Sequence, residues 1–356
     1  MKLAIILGTR PEIIKMAPVI WECERRHTSY FVIHTGQHYT PFMDEIFFTE
    51  MSLDKPKYNL GLGQLPYRKQ VGFFIPEIMK VLSIEKPDVV LVQGDTISVL
   101  AGALAATKLG IAVAHHEAGL RSYDTTMLEE VNRTITDHMS EFLCTPTSTA
   151  TENLIEEGFP KERIFQTGNT IVDVIKHFES QTVPSRLDLF NLRPKEYFLV
   201  TAHRAENVDN IDRLSKIIKG LSLLRDSFPS LDILLPLHPR TRKRLEQFKL
   251  EMPKGIKIIE PVGFIDLLTL EKYARLVITD SGGMQEESCV VQVPTVTIRD
   301  NTERPETVSL GMNCLVPGLE PLNFLESVQN MLNKNYTWVN PFGVGDAGGK
   351  IVDLFS

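Results

Sequence analysis

Short apolar runs alternate with longer amphipathic ones along almost the whole chain, and this rhythm leaves few folds open. Leu3–Leu7, Tyr30–Thr35, Val89–Gln93, Ile111–His115, Phe142–Thr145 and Ile164–Thr167 read as strands, with Ile13–Arg25, Pro66–Leu82, Ile97–Leu109 and Ala150–Gly158 as helices. The pattern restarts at Tyr197–Thr201 and continues through Leu231–Leu235, Ile256–Ile259, Leu276–Thr279 and Thr295–Ile298, again with helices between. Strand–helix alternation of this length requires parallel sheets covered on both faces. The 356 residues are too many for one ordinary core. They suit an α/β protein of two Rossmann-like, doubly wound domains, each of about 150 to 180 residues. The irregular stretch Ser180–Pro194 is expected to link them, giving domains at 1–180 and 181–342. The tail Gly343–Ser356 is expected to form a last helix that crosses back to the first domain.

Composition narrows the partners. A net charge of −7 argues against nucleic acid, so any phosphate site must be local rather than a broad basic field. Cys23, Cys144, Cys289 and Cys314 lie far apart without a CxxC pair, which points to reduced, buried thiols and no structural zinc. The five apolar residues at the N-terminus are too short for a signal core or a membrane span, so a cytoplasmic protein without membrane contact is expected.

In open parallel sheets, ligands bind beyond the carboxyl ends of the strands. With two such sheets facing each other, the active site is expected in a cleft between domains. The unusual residues of this chain fall at those strand ends. Thr279-Asp280-Ser281-Gly282-Gly283-Met284-Gln285-Glu286-Glu287 follows an apolar run and reads as strand, tight turn and helix start. Its glycines admit close approach of a ligand, and unpaired helix amides there attract phosphate. Glu287, one turn on, is placed to accept hydrogen bonds from a ribose, and Arg304 lies beside a second helix start. A βα turn that merely needs glycine explains the first cluster alone equally well.

Gly8-Thr9-Arg10-Pro11-Glu12 carries capping-box spacing, so Thr9, Pro11 and Glu12 need no function. Arg10 and Lys15 are different, because cations at a helix start oppose its dipole, and an anionic ligand would offset that. Asp95 in Gln93-Gly94-Asp95-Thr96 has an ordinary reading as a helix N-cap. His115-His116-Glu117 with Arg121 is harder to explain as plain structure, yet no further ligands have metal-site spacing. Leu128-Glu129-Glu130-Val131-Asn132-Arg133 looks like an acidic first helical turn. It completes a set of three carboxylates, Asp95, Glu117 and Glu129, at strand ends of one half. In the second half, His203-Arg204 and His238-Pro239-Arg240 follow successive strands and read as diphosphate ligands or polar turns.

With GTRPEIIK, QGDT, EAGLRS, EEVNR, HRAEN, DSGGMQEE and RDNTERPE all in order, the chain resembles the non-hydrolysing UDP-N-acetylglucosamine 2-epimerases over essentially its whole length. The resemblance implies a GT-B fold, a homodimer, and interconversion of UDP-N-acetylglucosamine and UDP-N-acetylmannosamine with no nicotinamide or other cofactor, supplying glycan precursors. It implies uridine and diphosphate contacts at Arg10, His203, Ser281, Gly282, Glu287 and Arg304, with Arg204 and Gly283 in the same loops. The implied catalytic carboxylates are Asp95, Glu117 and Glu129, with His203 among the groups that stabilise charge on the departing diphosphate. Lys15 and Arg133 match residues kept near the site.

Leu128 replaces the family's usual proline, and His116 a β-branched residue, adding a polar neighbour to Glu117. Thr40 and Ala205 depart from the glutamine and arginine of an effector pocket in bacterial members, of which Gln37, His38 and His238 remain. Rival readings are an epimerase for a related UDP-2-acetamido sugar (6-deoxy or 2,3-diacetamido uronic acid) and a GT-B glycosyltransferase. A glycosyltransferase would leave the three carboxylates unexplained, as would a non-enzymatic nucleotide-sugar sensor.

Overall fold

A computed structural model describes residues 1–37, 41–334 and 336–355. His38 and Thr40 therefore lie outside the described residues. The chain divides into two compact units, Met1–His177 with Pro341–Ser356, and Phe178–Asn340.

In the first unit the elements run β1 (Lys2–Leu7), α1 (Arg10–Arg26), β2 (Ser29–His34), α2 (Pro41–Glu50), β3 (Tyr58–Asn59), α3 (Tyr67–Glu85), β4 (Val89–Gln93), α4 (Ile97–Lys108), β5 (Ala112–His116), α5 (Leu128–Met139), β6 (Phe142–Thr145), α6 (Ser148–Glu156), β7 (Ile164–Gln166) and α7 (Thr170–His177). Its described strands form one parallel sheet in the order β3-β2-β1-β4-β5-β6-β7. The order reverses between β1 and β4, so the loops after those two strands open a crevice at the sheet's carboxyl edge. The central strands are buried on both faces, as continuous runs such as Val89–Gln93 require.

The second unit repeats the plan with β8 (Tyr197–Thr201), α8 (Ala205–Val208), α9 (Ile211–Ser227), β9 (Asp232–Pro236), α10 (Pro239–Phe248), β10 (Ile256–Ile259), α11 (Phe264–Lys272), β11 (Leu276–Thr279), α12 (Gly282–Val290), β12 (Thr295–Thr297), α13 (Pro305–Ser309), β13 (Asn313–Leu315) and α14 (Pro321–Leu332). The strand order β10-β9-β8-β11-β12-β13 reverses between β8 and β11. The short edge strands β3 and β13 were not legible as apolar runs. The stretch Ser180–Pro194 belongs to the second unit: it coils into short 3-10 turns whose Leu187 and Leu192 enter that unit's core.

The thiols are free, with Cys23, Cys144 and Cys289 buried and Cys314 half-buried. No helix of the described residues is long and apolar enough to cross a membrane.

Local chemistry explains the helix starts. Glu12 accepts the Gly8 and Thr9 amides, each at 2.7 Å, and takes the Thr96 hydroxyl at 2.6 Å. This buried carboxylate thus closes the capping box of α1 and ties it to the start of α4, across the point of strand reversal. The N-cap of α4 is Thr96, whose Oγ1 accepts the Val99 amide; Asp95, read above as a possible cap, is spared that duty. After Pro341 the chain returns to the first unit as α15 (Ala347–Asp353). There Asp173 accepts the amides of Ala347 (3.2 Å) and Gly348 (3.0 Å), filling two unpaired donors at the helix start. Gly348 lies against α1 so closely that a Cβ would sit 2.7 Å from the Pro18 carbonyl oxygen. Gly348→Ala is therefore expected to destabilise the protein by about 1–3 kcal/mol, since the obstructing atom is backbone. Urea unfolding of the variant beside the parent tests this, and equal midpoints would contradict it.

Candidate active site

Three neighbouring strand ends of the first unit hold an ionic cluster. Lys15, buried in the second turn of α1, donates to Glu117 Oε1. The cation at this helix start is thus offset by the protein's own carboxylate, not by an external anion alone as the sequence suggested. Asn169 Nδ2 adds a bond to Oε1 at 3.2 Å, and Gln93 Nε2 donates to Oε2 at 2.6 Å. Glu117 itself sits at φ 72°, a left-handed conformation that side chains adopt only under constraint. A carboxylate held by three donors on a strained turn is fixed in direction as well as charge.

Asp95, half-buried at the end of β4, accepts from the buried Arg133 through Oδ2. Arg133 also binds Glu130, which takes the Ser122 amide and hydroxyl and the Tyr123 amide at 2.9–3.0 Å. Glu130 therefore shapes the loop leading into α5, while its neighbour Glu129 stands half-buried in the first turn. Arg10 is half-buried, with its guanidinium over the Phe47 ring at 5.7 Å.

The two histidines serve the scaffold. His115 bonds Asp137 and the Gly94 carbonyl. His116 bonds Thr170 at 3.0 Å, and burial lowers its pKa to about 4, so it is neutral. No set of three or more His, Cys, Asp or Glu among the described residues is arranged to hold a metal ion.

In the second unit the loops after β8 and β11, on either side of strand reversal, are joined through one buried carboxylate. Asp280 accepts the amides of His203 (2.9 Å) and Arg204 (2.9 Å), Asn207 Nδ2 (3.1 Å) and His203 Nδ1 (3.2 Å). Burial alone would raise its pKa, but His203 and these donors hold it at about 2. Because Nδ1 must carry a hydrogen to meet Asp280, the His203 ring is fixed in tautomer and direction. Its centroid lies 5.3 Å from that of His238, whose Nδ1 caps α10 by accepting the Arg240 amide.

At the tip of α12, Ser281 accepts the Met284 amide as N-cap. Gly282 has a steric reason: a Cβ there would lie 2.8 Å from Arg304 Nη1. The Arg304 guanidinium cannot yield easily, because Glu286 (2.7 Å) and Glu303 (3.2 Å) pin it. At Gly283 a Cβ would meet Glu287 Oε1 only at 3.7 Å, so Glu287 borders the same tip. Helix amides and an arginine at one point make an anion-receptive corner.

Gln37 spends its side-chain oxygen on the amide and hydroxyl of Ser98 (3.0 and 2.8 Å), and Ala205 is the exposed first residue of α8. Sequence reasoning missed the supporting roles of Gln93, Asn132, Asn169, Asp280, Glu286 and Glu303. All of these but Asn169 stood inside motifs already singled out; nothing in the sequence marked Asn169.

Two doubly wound parallel units, one with paired carboxylates and one with an anion-receptive helix tip, define an α/β protein of the GT-B kind. A rhamnosyltransferase, SpnG, shares the fold at TM-score 0.58 and 13% identity, across 99% of this chain and 95% of that one. The model of the UDP-N-acetylglucosamine 2-epimerase family matches residues 22–356, and the chain belongs to that family of isomerases. It is 50% identical to the UDP-N-acetylglucosamine 2-epimerase of Methanocaldococcus jannaschii, across 100% of this chain and 99% of that one. The crystal structure of the Methanocaldococcus enzyme in complex with UDP-GlcNAc and UDP superposes at TM-score 0.94, with 51% identity across 100% and 99% of the two chains. A UDP-2,3-diacetamido-2,3-dideoxy-D-glucuronate 2-epimerase of Pseudomonas aeruginosa is 38% identical, across 100% and 99% of the two chains.

The depressed Asp280 carboxyl has a pH signature. A folded pKa of about 2 against 3.8 supplies stability that is present above pH 3.8 and lost as pH falls through 2. The shift corresponds to about 2 kcal/mol. Asp280→Asn is expected to be less stable than the parent at pH 7, with the gap narrowing toward pH 2. Paired denaturation curves at pH 7 and pH 3 check this; a gap of constant size would contradict it.

Proposed function

We propose that this chain interconverts UDP-N-acetylglucosamine and UDP-N-acetylmannosamine by loss and return of UDP. The observation that carries the reading is the pair Asp95–Arg133 and Glu117–Lys15, two fixed carboxylates at adjacent strand ends beside a crevice. Full-length identity of 50% and 51% to two archaeal relatives named UDP-N-acetylglucosamine 2-epimerase supports the choice of sugar.

One carboxylate takes the carbon-2 proton as the bond from carbon 1 to UDP oxygen breaks, leaving a 2-acetamidoglucal. A carboxylic acid on the other ring face then returns a proton to carbon 2, and the phosphate oxygen of UDP adds again at carbon 1. Asp95, Glu117 and Glu129 are the groups for these transfers, and Lys15 and Arg133 hold the first two in place. General acid–base help of this kind is worth about 10²–10⁴-fold. His203, Arg204, Arg10, Arg304 and the Ser281–Gly282–Gly283 tip would meet the diphosphate, each preorganised donor contributing roughly 3 kcal/mol as charge grows. Glu287 would accept the ribose hydroxyls. Action as a homodimer belongs to the same proposal and rests on the family resemblance.

Proton NMR in deuterium oxide tests the chemistry. Deuterium is expected at carbon 2 as the manno epimer appears, without added NAD, whereas epimerisation lacking solvent exchange would refute the mechanism. Running the 2,3-diacetamido uronic acid substrate in parallel decides between the two sugars. Asp95→Asn, Glu117→Gln and Glu129→Gln are each expected to lower turnover by about 10²-fold or more while UDP binding, measured by calorimetry, changes little. Near-normal turnover in all three would reduce these acids to structural groups.

Effector control by UDP-N-acetylglucosamine is expected to be weak, because Ala205 supplies no cation and the Gln37 oxygen is already engaged. Loss of one charged bond to phosphate corresponds to about tenfold or more in affinity. UDP-N-acetylmannosamine alone should therefore be converted at once; a lag abolished by a trace of the gluco epimer would show that the control survives.

A further inference from the structure

We infer that His115 and Asn132 aim the Asp95 carboxylate by fixing the two peptide planes on either side of its Cα. The inference rests on the reading that Asp95 moves the carbon-2 proton. A side chain leaves its Cα in a direction set by the residue's own φ and ψ, hence by the planes before and after it. The plane before Asp95 contains the Gly94 carbonyl, and Gly94, at φ 80°, has no side chain to restrict it. His115 Nε2 meets that carbonyl oxygen at 2.8 Å. The plane after Asp95 contains its own carbonyl, which accepts Asn132 Nδ2 at 2.9 Å. Arg133 then holds the carboxylate itself.

The clamp is anchored from behind. His115 Nδ1 lies 2.7 Å from Asp137 Oδ1, with neither side chain exposed to solvent. Asp137 Oδ2 takes Arg121 Nη1 at 2.7 Å and the Gly119 amide at 3.2 Å, and Arg121 reaches on to Glu157 at 2.6 Å. Although burial works to raise the Asp137 pKa, His115 and Arg121 keep it below its ordinary value, so it accepts. Both ring nitrogens of His115 therefore face acceptors. Asn132, Arg133 and Asp137 all stand on α5, so one helix holds the backbone behind Asp95, the carboxylate and the histidine that clamps the turn.

A mere staple would hold the loop together; a clamp should also govern proton transfer at Asp95. His115→Gln and Asn132→Ala should each slow solvent exchange at carbon 2 by about 10²-fold, as misplacement near 1 Å does, with KM and calorimetric UDP affinity within about threefold. In an Asp95→Asn background the same changes should lower the residual rate by less than about twofold, because the group they aim is gone. An equal fractional loss in both backgrounds, or no loss in the parent, would overturn the inference. Full activity in Asp95→Asn alone would instead overturn the reading of Asp95 on which it rests.

Discussion

Reversal of strand order at the middle of each sheet is the constraint on which the rest depends. Two parallel strands whose crossovers run in opposite directions leave their following loops without a helix packed between them. Between β1 and β4 that gap is bounded by the start of α1 and by Gly94–Asp95; between β8 and β11 it is bounded by His203–Arg204 and Asp280–Ser281. In each unit a buried carboxylate spans the reversal. Glu12 ties Gly8 and Thr9 to Thr96, and Asp280 ties its own turn to the amides of His203 and Arg204. Each unit thus uses a buried acid that accepts a hydrogen bond from across the gap, from a hydroxyl in the first and from amides in the second.

Charges around the candidate site are matched inside the protein. Lys15 has Glu117, Arg133 has Asp95 and Glu130, and Arg304 has Glu286 and Glu303. Buried ions without such partners would carry desolvation penalties of several kcal/mol each. Pairing removes most of that penalty and fixes direction at the same time, because an arginine fork or a carboxylate with several donors has few alternative poses. The donors at the α12 tip are already oriented, so an anion bound there would have little reorganisation to drive.

The sequence was informative where physics is local. Apolar runs placed the central strands, and the Thr9–Glu12 spacing foretold the cap of α1. It was silent where the decisive partner is remote. Nothing near Lys15 points to Glu117, which lies 102 residues away, and the sequence offered an outside anion in its stead. Asp280 looked like a turn residue because its four donors come from residues 203–207. The edge strands β3 and β13 escaped notice because two or three residues carry too little periodicity to register. Residues 180–194 resembled a linker by their prolines, yet Leu187 and Leu192 supplied enough apolar surface to enter a core. The EEVNR motif was read for Glu129 and Arg133, whereas Glu130 and Asn132 share the holding with Arg133.

The return of the chain to its first unit bears on the order of synthesis. The start of α15 is held by Asp173, the Asn169 amide bonds the Phe342 carbonyl at 2.8 Å, and Arg26 pairs with Asp353. Until residues 341–355 leave the ribosome, the first unit lacks the helix that covers Pro18 and the last turns of α1. The second unit has all its strands by then. Domains usually complete themselves in the order in which they are made. Here the N-terminal unit is finished last, so the nascent chain passes through a stage with a closed second sheet and an uncovered α1, the stage at which a chaperone would find the most to hold.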